Sequence, residues 1–389
     1  MNNKKILFLA MWFLPRIGGM EMSSNEIVKM IQSMHADVWV ITTDYETAQQ
    51  YDKAQSFVIR RAKGTFLQNL ASKNKIKRIY YYCNYYHKYF LEVKKAIKEF
   101  QPDEVIVADE QTRNWFGFYA HKIAYNPIVV ASMPEKKEET IKIKIISRTL
   151  RKAKAIYCVS NSTKEKMLEA FGDAFRPKMH VLYRSIGQAF LHSAVDQDAV
   201  NALKTRYNLQ NKFVLLSVCR LNQKKGVGEV IAALHQLRDQ AKDIALLICG
   251  EGPDRQRLEE MAKQYGLEKN IFFCGKIDKE DITNYYDACD IFVLPSVEES
   301  FGRVYAEAGA RRKMSIGCNI GGVAEVIDDG KTGCLIEPEK IDMLAELILK
   351  FKTDALLRNG LANRMYKKVQ EQFSFEALAI KWREILKAE

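Results

Sequence analysis

No apolar run in the 389 residues approaches the roughly 20 positions that a bilayer-spanning helix needs. The eight cysteines (Cys83, Cys158, Cys219, Cys249, Cys274, Cys289, Cys318 and Cys334) lie far apart with no Cys-x-x-Cys pair, and several sit inside apolar runs as small core hydrophobes. That usage excludes a disulfide scaffold and suits a reducing cytoplasm. No Gly-x-Gly-x-x-Gly opens either half, which argues against a nicotinamide dehydrogenase. Helix-turn-helix and zinc-finger spacings are missing too. Tyr80 to Tyr82 and Tyr85-Tyr86 recur in a helical pattern, not on alternating strand positions where bases stack, so no nucleic acid partner is expected. The opening Lys4-Lys5 and Ile6 to Leu14 imitate a signal peptide, but Pro15-Arg16 follows with no small-residue cleavage site. The segment reads as a first buried strand.

What remains is ordinary in composition and uneven in charge. A hydrophobic content of 47% over 389 residues provides for two domains with full cores. The net charge of +12 is concentrated: Arg60 to Lys98 holds eleven Lys or Arg against the single acid Glu92, and Lys136 to Lys154 holds eight against Glu138 and Glu139. In the first segment Ile76, Ile79, Cys83, Tyr86, Phe90, Val93 and Ile97 recur at spacings of three and four, which predicts an amphipathic helix showing Lys75, Arg78, Tyr82, Lys88 and Lys95 elsewhere. In the second, Ile141, Ile143, Ile145 and Ile146 interleave with Lys142, Lys144 and Arg148. Such faces suit an anionic membrane surface, and equally a core-packing helix with a solvated basic side. Both readings stay open.

Strand and helix patterns alternate through the chain. Strands are predicted at 5–11, 37–42, 104–108, 127–131 and 155–159 in the first half, and at 213–218, 244–249, 271–274, 290–294, 314–317 and 334–336 in the second. That order predicts an α/β protein of two doubly wound units, divided by a polar segment near Gly187 to Lys204. Helices near 354–370 and 374–387 have no strand after them.

Several motifs fall just after strands, where open α/β sheets bind ligands. Gly18-Gly19 could offer bare N–H groups to a phosphate, although Gly-Gly is also an ordinary turn. Arg220-Leu-Asn-Gln-Lys224-Lys225-Gly226 places cations after Phe213 to Val218, and Gly250-Glu-Gly-Pro253 follows Ala245 to Cys249. Glu299-Ser-Phe-Gly-Arg-Val-Tyr-Ala-Glu307 follows the run Ile291 to Leu294, with Glu299 in a loop and Glu307 in the next helix. Cations at one strand end facing carboxylates at another describe a nucleoside diphosphate site.

At these residues the chain resembles the retaining glycosyltransferases of the glycogen-synthase-like, GT-B class, family four. Val218 to Gly226, Gly250 to Pro253, Phe273-Cys-Gly275, Asp290 to Ser296, Glu299 to Glu307, Gly321-Gly322-Val-Ala-Glu325 and Gly330-Lys-Thr-Gly333 carry the resemblance in order, and Pro15 to Glu21 fits the amino-terminal loop. It is close over most of 205–340 and looser over 1–190. It implies an acceptor-side Rossmann-like domain over 1–190, a nucleotide-sugar-binding Rossmann-like domain over 205–370, a cleft between them, and a helix at 371–389 packing back on the first.

By matching position, Arg220 and Lys225 would hold the diphosphate and stabilise its charge as it leaves. Glu307 would accept from the ribose hydroxyls, and Glu299 would lie beside the donor sugar. Backbone groups of Ser300, Phe301 and Gly302 would surround sugar and phosphates, Gly250 would approach the donor, and Gly18 and Gly19 would close over the diphosphate. The resemblance implies neither metal nor cofactor, the donor being a substrate. Family members often carry a His after a strand like Ile128 to Ala131, where this chain reads Ser132-Met133-Pro134-Glu135. The expected function is transfer of a sugar to a hydroxyl of a glycan or lipid-linked acceptor in cell-surface polysaccharide synthesis. It would take place in the cytoplasm, with peripheral contact at the inner membrane face through the basic segments. A non-catalytic partner subunit and a nucleotide-sugar epimerase or hydrolase are the alternatives.

Overall fold

The computed structural model describes residues 4–15, 19–45, 48–64, 75–131 and 140–387, without the side chains of 75–82, 110, 111, 140–142, 238 and 239. The expectations attached to Gly18, to the basic face of Lys75, Arg78 and Tyr82, and to Ser132–Glu135 lie outside the described residues. The chain divides into two compact units, Met1–Arg184 with Leu378–Glu389, and Ser185–Ala377.

The first unit is built on seven parallel strands: β1 (Lys5–Leu9), β2 (Asp37–Thr43), β3 (Val58–Ala62), β4 (Glu104–Val107), β5 (Ile128–Ala131), β6 (Ala155–Cys158) and β7 (Met179–Val181). Their order is β3-β2-β1-β4-β5-β6-β7. Helices cover both faces of such a sheet, so its inner strands are continuous apolar runs; Ile6 to Leu9 have no exposed surface. Two edge strands, β3 and β7, were not legible in the sequence. β3 carries Arg60 and Arg61, which bond Glu92 at 2.7 Å and Asp52 at 2.8 Å, and β7 has only three residues.

The helix Lys75–Phe100 lays Tyr85, Tyr89, Val93, Ala96 and Phe100 into the core. Cys83, placed on the apolar stripe by spacing, is exposed. The inward face is set by the rings: Tyr89 meets Trp115 edge-on at 4.7 Å and donates its hydroxyl to the Ile41 carbonyl at 2.7 Å. The buried aromatic thus satisfies its polar end.

The second unit holds a six-stranded parallel sheet of β8 (Phe213–Val218), β9 (Ile244–Cys249), β10 (Ile271–Gly275), β11 (Ile291–Leu294), β12 (Met314–Cys318) and β13 (Gly333–Ile336). Its order is β10-β9-β8-β11-β12-β13. The chain winds outward from β8 in one direction and from β11 in the other, so these two neighbours define the switch point of the sheet, with Leu215 opposite Ile291. No helix among the described residues is long and apolar enough to cross a membrane.

The helix Phe375–Lys387 enters the first unit from Leu378 onward. Its Trp382 is 1% exposed, with its ring 6.3 Å from that of Tyr157, and the Leu386 carbonyl accepts from Lys4 Nζ at 2.7 Å. Trp382→Ala should therefore destabilise this unit by about 3–5 kcal/mol. Urea denaturation monitored by circular dichroism measures this, and a loss under about 1 kcal/mol would show that the helix adds little.

Candidate functional site

At the switch point of the second sheet, the loops that follow β8 and β11 are locked together through their backbones. The Val297 amide donates to the Lys224 carbonyl at 2.9 Å, and Ser296 Oγ donates to the same carbonyl at 3.1 Å. Gly226 permits this approach: its φ of +72° is left-handed, and a Cβ there would lie 2.2 Å from the Pro295 carbonyl oxygen. The loop after β9 joins the same array. Leu221 N donates to the Glu251 carbonyl at 3.0 Å, and a Cβ on Gly250 would stand 1.8 Å from the Cys219 carbonyl oxygen. Only glycine fits at Gly250, and its first effect is on loop packing.

The array gathers the charged residues. Lys225 Nζ forms an ion pair with Glu299 Oε1, the two side chains being 21% and 17% exposed, and Lys224 pairs with Glu298. Arg220 is exposed, and among the described residues no carboxylate pairs with it. Glu307 lies four residues into the helix Arg303–Ala310, accepting from Arg303 Nε at 2.9 Å and from the Tyr286 hydroxyl at 3.2 Å. Both partners fix its rotamer. Burial, with Glu307 adding to it, holds the Tyr286 phenol well above its ordinary range, so it stays a donor. The partners Arg303 and Tyr286 were not read from the sequence, although Arg303 stands one helical turn before Glu307.

The helix Arg303–Ala310 begins without a side-chain cap, on Gly302 at φ +85°. Its first amides carry the positive end of the helix dipole at the carboxyl edge of the sheet, where an anion is favoured. Ser300 leads into this turn, and the buried Phe301 anchors it edge-on against Phe373 at 5.3 Å. Arg220, Lys225, Gly250, Glu299, Ser300, Phe301, Gly302 and Glu307 thus all belong to the second unit and cluster after β8, β9 and β11. Among the described residues no group of three or more His, Cys, Asp or Glu is placed to hold a metal ion.

Gly19 belongs to the first unit, where it opens the helix Gly19–Gln32. The switch point there lies between β1 and β4. Asp109, just beyond β4, adopts φ 58° and ψ 161°, a conformation strained for any residue but glycine. Its carboxylate accepts from Thr112 N at 2.7 Å, Thr112 Oγ1 at 2.9 Å and Trp12 N at 3.2 Å, tying the loop after β1 to the next helix. Burial pushes its pKa up to about 7 against those bonds, and the buried Glu21 adds to the rise. A lone Asp gave no signal in the sequence; the helix-capping pattern Asp-x-x-Thr was the one available cue.

Comparison with known proteins follows the same division. A family model described as Glycosyltransferase Family 4 matches residues 17–187, and one described as Glycosyl transferases group 1 matches residues 201–372. A GDP-mannose-dependent alpha-(1-6)-phosphatidylinositol monomannoside mannosyltransferase of Mycolicibacterium smegmatis is 27% identical over 253 residues, 60% of this chain and 65% of its own length. Alpha-D-kanosaminyltransferase of Streptomyces kanamyceticus is 28% identical over 214 residues, 55% of each chain. The chain thus spans 65% and 55% of the length of these two curated relatives. Among solved structures, HepE of Anabaena in complex with UDP superimposes with a TM-score of 0.81 at 19% identity, over 99% of this chain and 100% of that one. WaaG, a glycosyltransferase involved in lipopolysaccharide biosynthesis, gives 0.70 at 17% identity, over 99% and 100%. At such identities the structures establish the fold.

The raised Asp109 pKa has a stability consequence. The folded carboxyl titrates at about 7 and the unfolded one near 3.8, so its protonated form favours folding; that contribution is complete below about pH 4 and is lost as pH rises through 7. Relative to Asp109→Asn, the wild type should lose up to about 4 kcal/mol between these limits. Urea titrations of both proteins at pH 4.5 and 8 check it, and parallel pH dependence would contradict the assignment.

Proposed function

Because the chain belongs to the group 1 glycosyltransferases of family four and has the GT-B fold, we propose the following reaction. It moves a sugar from a nucleoside-diphosphate donor to a hydroxyl of a glycan or glycolipid acceptor, retaining the anomeric configuration and needing no metal ion. The observation that supports this reading is the joined loops after β8 and β11, which carry Arg220, Lys225 and Glu299 with Lys225 paired to Glu299, followed by an uncapped helix in which Arg303 and Tyr286 hold Glu307.

In this reading the bond between the anomeric carbon and the diphosphate oxygen breaks, the acceptor hydroxyl oxygen bonds that carbon on the same face, its proton passes to the leaving diphosphate, and negative charge grows on that diphosphate as it leaves. The Arg220 guanidinium offers a planar fork to phosphate oxygens and Lys225 a point charge beside it. Amides at the start of Arg303–Ala310 add fixed dipoles in the same place. Glu307, held by Arg303 and Tyr286, is oriented to accept from the ribose hydroxyls. Glu299 orients Lys225 and stands next to the donor sugar. Relatives vary in donor, the mycobacterial enzyme being named for GDP-mannose and the Anabaena protein being bound to UDP and glucose. The acceptor belongs to cell-surface polysaccharide or glycolipid synthesis, reached at the inner face of the membrane, with the basic segments of the first unit contributing peripheral contact.

Purified protein screened with UDP-, GDP- and ADP-sugars, with and without a membrane lipid extract, tests this. Nucleotide release from one donor only in the presence of extract supports transfer; binding without release points to a non-catalytic subunit, and release without acceptor to a hydrolase. Lys225→Ala should lower turnover by about 10²–10³, the range for removing one charge-stabilising group. Its melting temperature should fall as well, because Glu299, 17% exposed, loses its ion-pair partner, so turnover is compared at a temperature where both proteins are folded. Near wild-type turnover in that variant would remove Lys225 from the mechanism.

A further inference from the structure

A groove of about 740 Å³ lies in the first unit, lined by Gly117, Ala120, His121, Arg148, Arg151 and Lys152. It forms where the helix Glu110–Tyr119 and the turn Ala120–Lys122 meet the last turn of the helix Thr140–Lys152. The two helices touch directly: a Cβ on Gly117 would lie 2.2 Å from the Ile145 carbonyl oxygen, and Thr149 Oγ1 donates to the Arg113 carbonyl at 2.8 Å. Three residues after Lys152 the chain enters β6, so the groove opens at the amino-terminal edge of the sheet. Donor and acceptor chemistry in an open parallel sheet belongs at the opposite edge.

Among the described residues, every charged side chain lining the groove is cationic. The helix Thr140–Lys152 carries Lys142, Lys144, Arg148, Arg151 and Lys152 and no acid. Elsewhere in the unit three arginines are neutralised, Arg60 by Glu92, Arg61 by Asp52 and Arg176 by Glu165. Among the described residues, no carboxylate pairs with Arg148 or Arg151. The nearby Glu104 is engaged by Lys4 and Lys154. Lys178 Nζ adds a further cation, donating to the Arg151 carbonyl at 3.0 Å. Lys152 donates to the Ala120 and Ile123 carbonyls, and burial holds its ammonium below the usual range, a cost that a bound anion would offset.

We propose that this groove binds a phosphate ester, at a site separate from the one that holds the donor. Arg148 and Arg151 are three residues apart on one helix, so their guanidinium forks lie on the same face and can grip one tetrahedral oxyanion from two sides. Lys152 and His121 provide additional donors, and the groove is large enough for a phosphorylated head group whose remainder projects outward. A membrane phospholipid and a soluble phosphate ester share this chemistry.

The test titrates full-length protein with glycerol 3-phosphate by calorimetry and with phosphatidylglycerol vesicles, against phosphatidylcholine vesicles, by co-sedimentation. The wild type should bind one probe, which names the source. The double variant Arg148→Gln/Arg151→Gln should weaken that binding about tenfold or more, as expected when charge-assisted hydrogen bonds are removed. The variant Arg148→Lys/Arg151→Lys, which keeps charge and lowers the risk of misfolding, should fall between the two. Nucleotide affinity, measured on the same samples, should stay at the wild-type value. No binding of either probe by the wild type, or equal binding by the Gln variant, would overturn the groove assignment. Absence of nucleotide binding by the wild type would instead count against the transfer reading.

Discussion

The bond from the Val297 amide to the Lys224 carbonyl joins the loops after β8 and β11, and the candidate site depends on it. Parallel strands place their following loops at one edge, and the reversal of strand order between β8 and β11 leaves a crevice at that edge. The backbone tie brings the crevice walls together, which Gly226 allows because no Cβ intervenes. The Lys225–Glu299 pair then follows from register more than from any strong attraction of its own. In the helix that follows β11, Arg303 and Tyr286 orient Glu307.

Much of this was legible in the sequence. Fully buried parallel strands are written as apolar runs with no alternation, and β1, β8, β9 and β11 announce themselves in that way. The loops carrying Arg220, Lys225 and Glu299 were located by their position after such runs. Edge strands were less visible: β3 spends two of its five residues on Arg60 and Arg61, whose partners Glu92 and Asp52 lie outside the strand, 32 and 9 residues away. Distant pairing also hid the network around Glu307, since Tyr286 lies 21 residues before it. Asp109 was missed because strain and burial belong to the folded backbone, not to a residue type.

The two units differ in how they use charge. The second unit neutralises most of its site cations with carboxylates, Lys224 with Glu298, Lys225 with Glu299 and Arg303 with Glu307. The first unit carries the excess positive charge of the chain, and its helix Thr140–Lys152 presents cations with no acid in the same element. The +12 net charge therefore reflects the first unit and not the candidate site of the second.

The central claim is that Arg220 and Lys225 recognise a diphosphate at the β8–β11 switch point. Its most direct test compares the affinities of a nucleoside diphosphate and the matching nucleoside monophosphate for wild-type protein and for Arg220→Ala. The account requires a clear preference for the diphosphate in the wild type and its collapse in the variant. An unchanged preference in Arg220→Ala would contradict it.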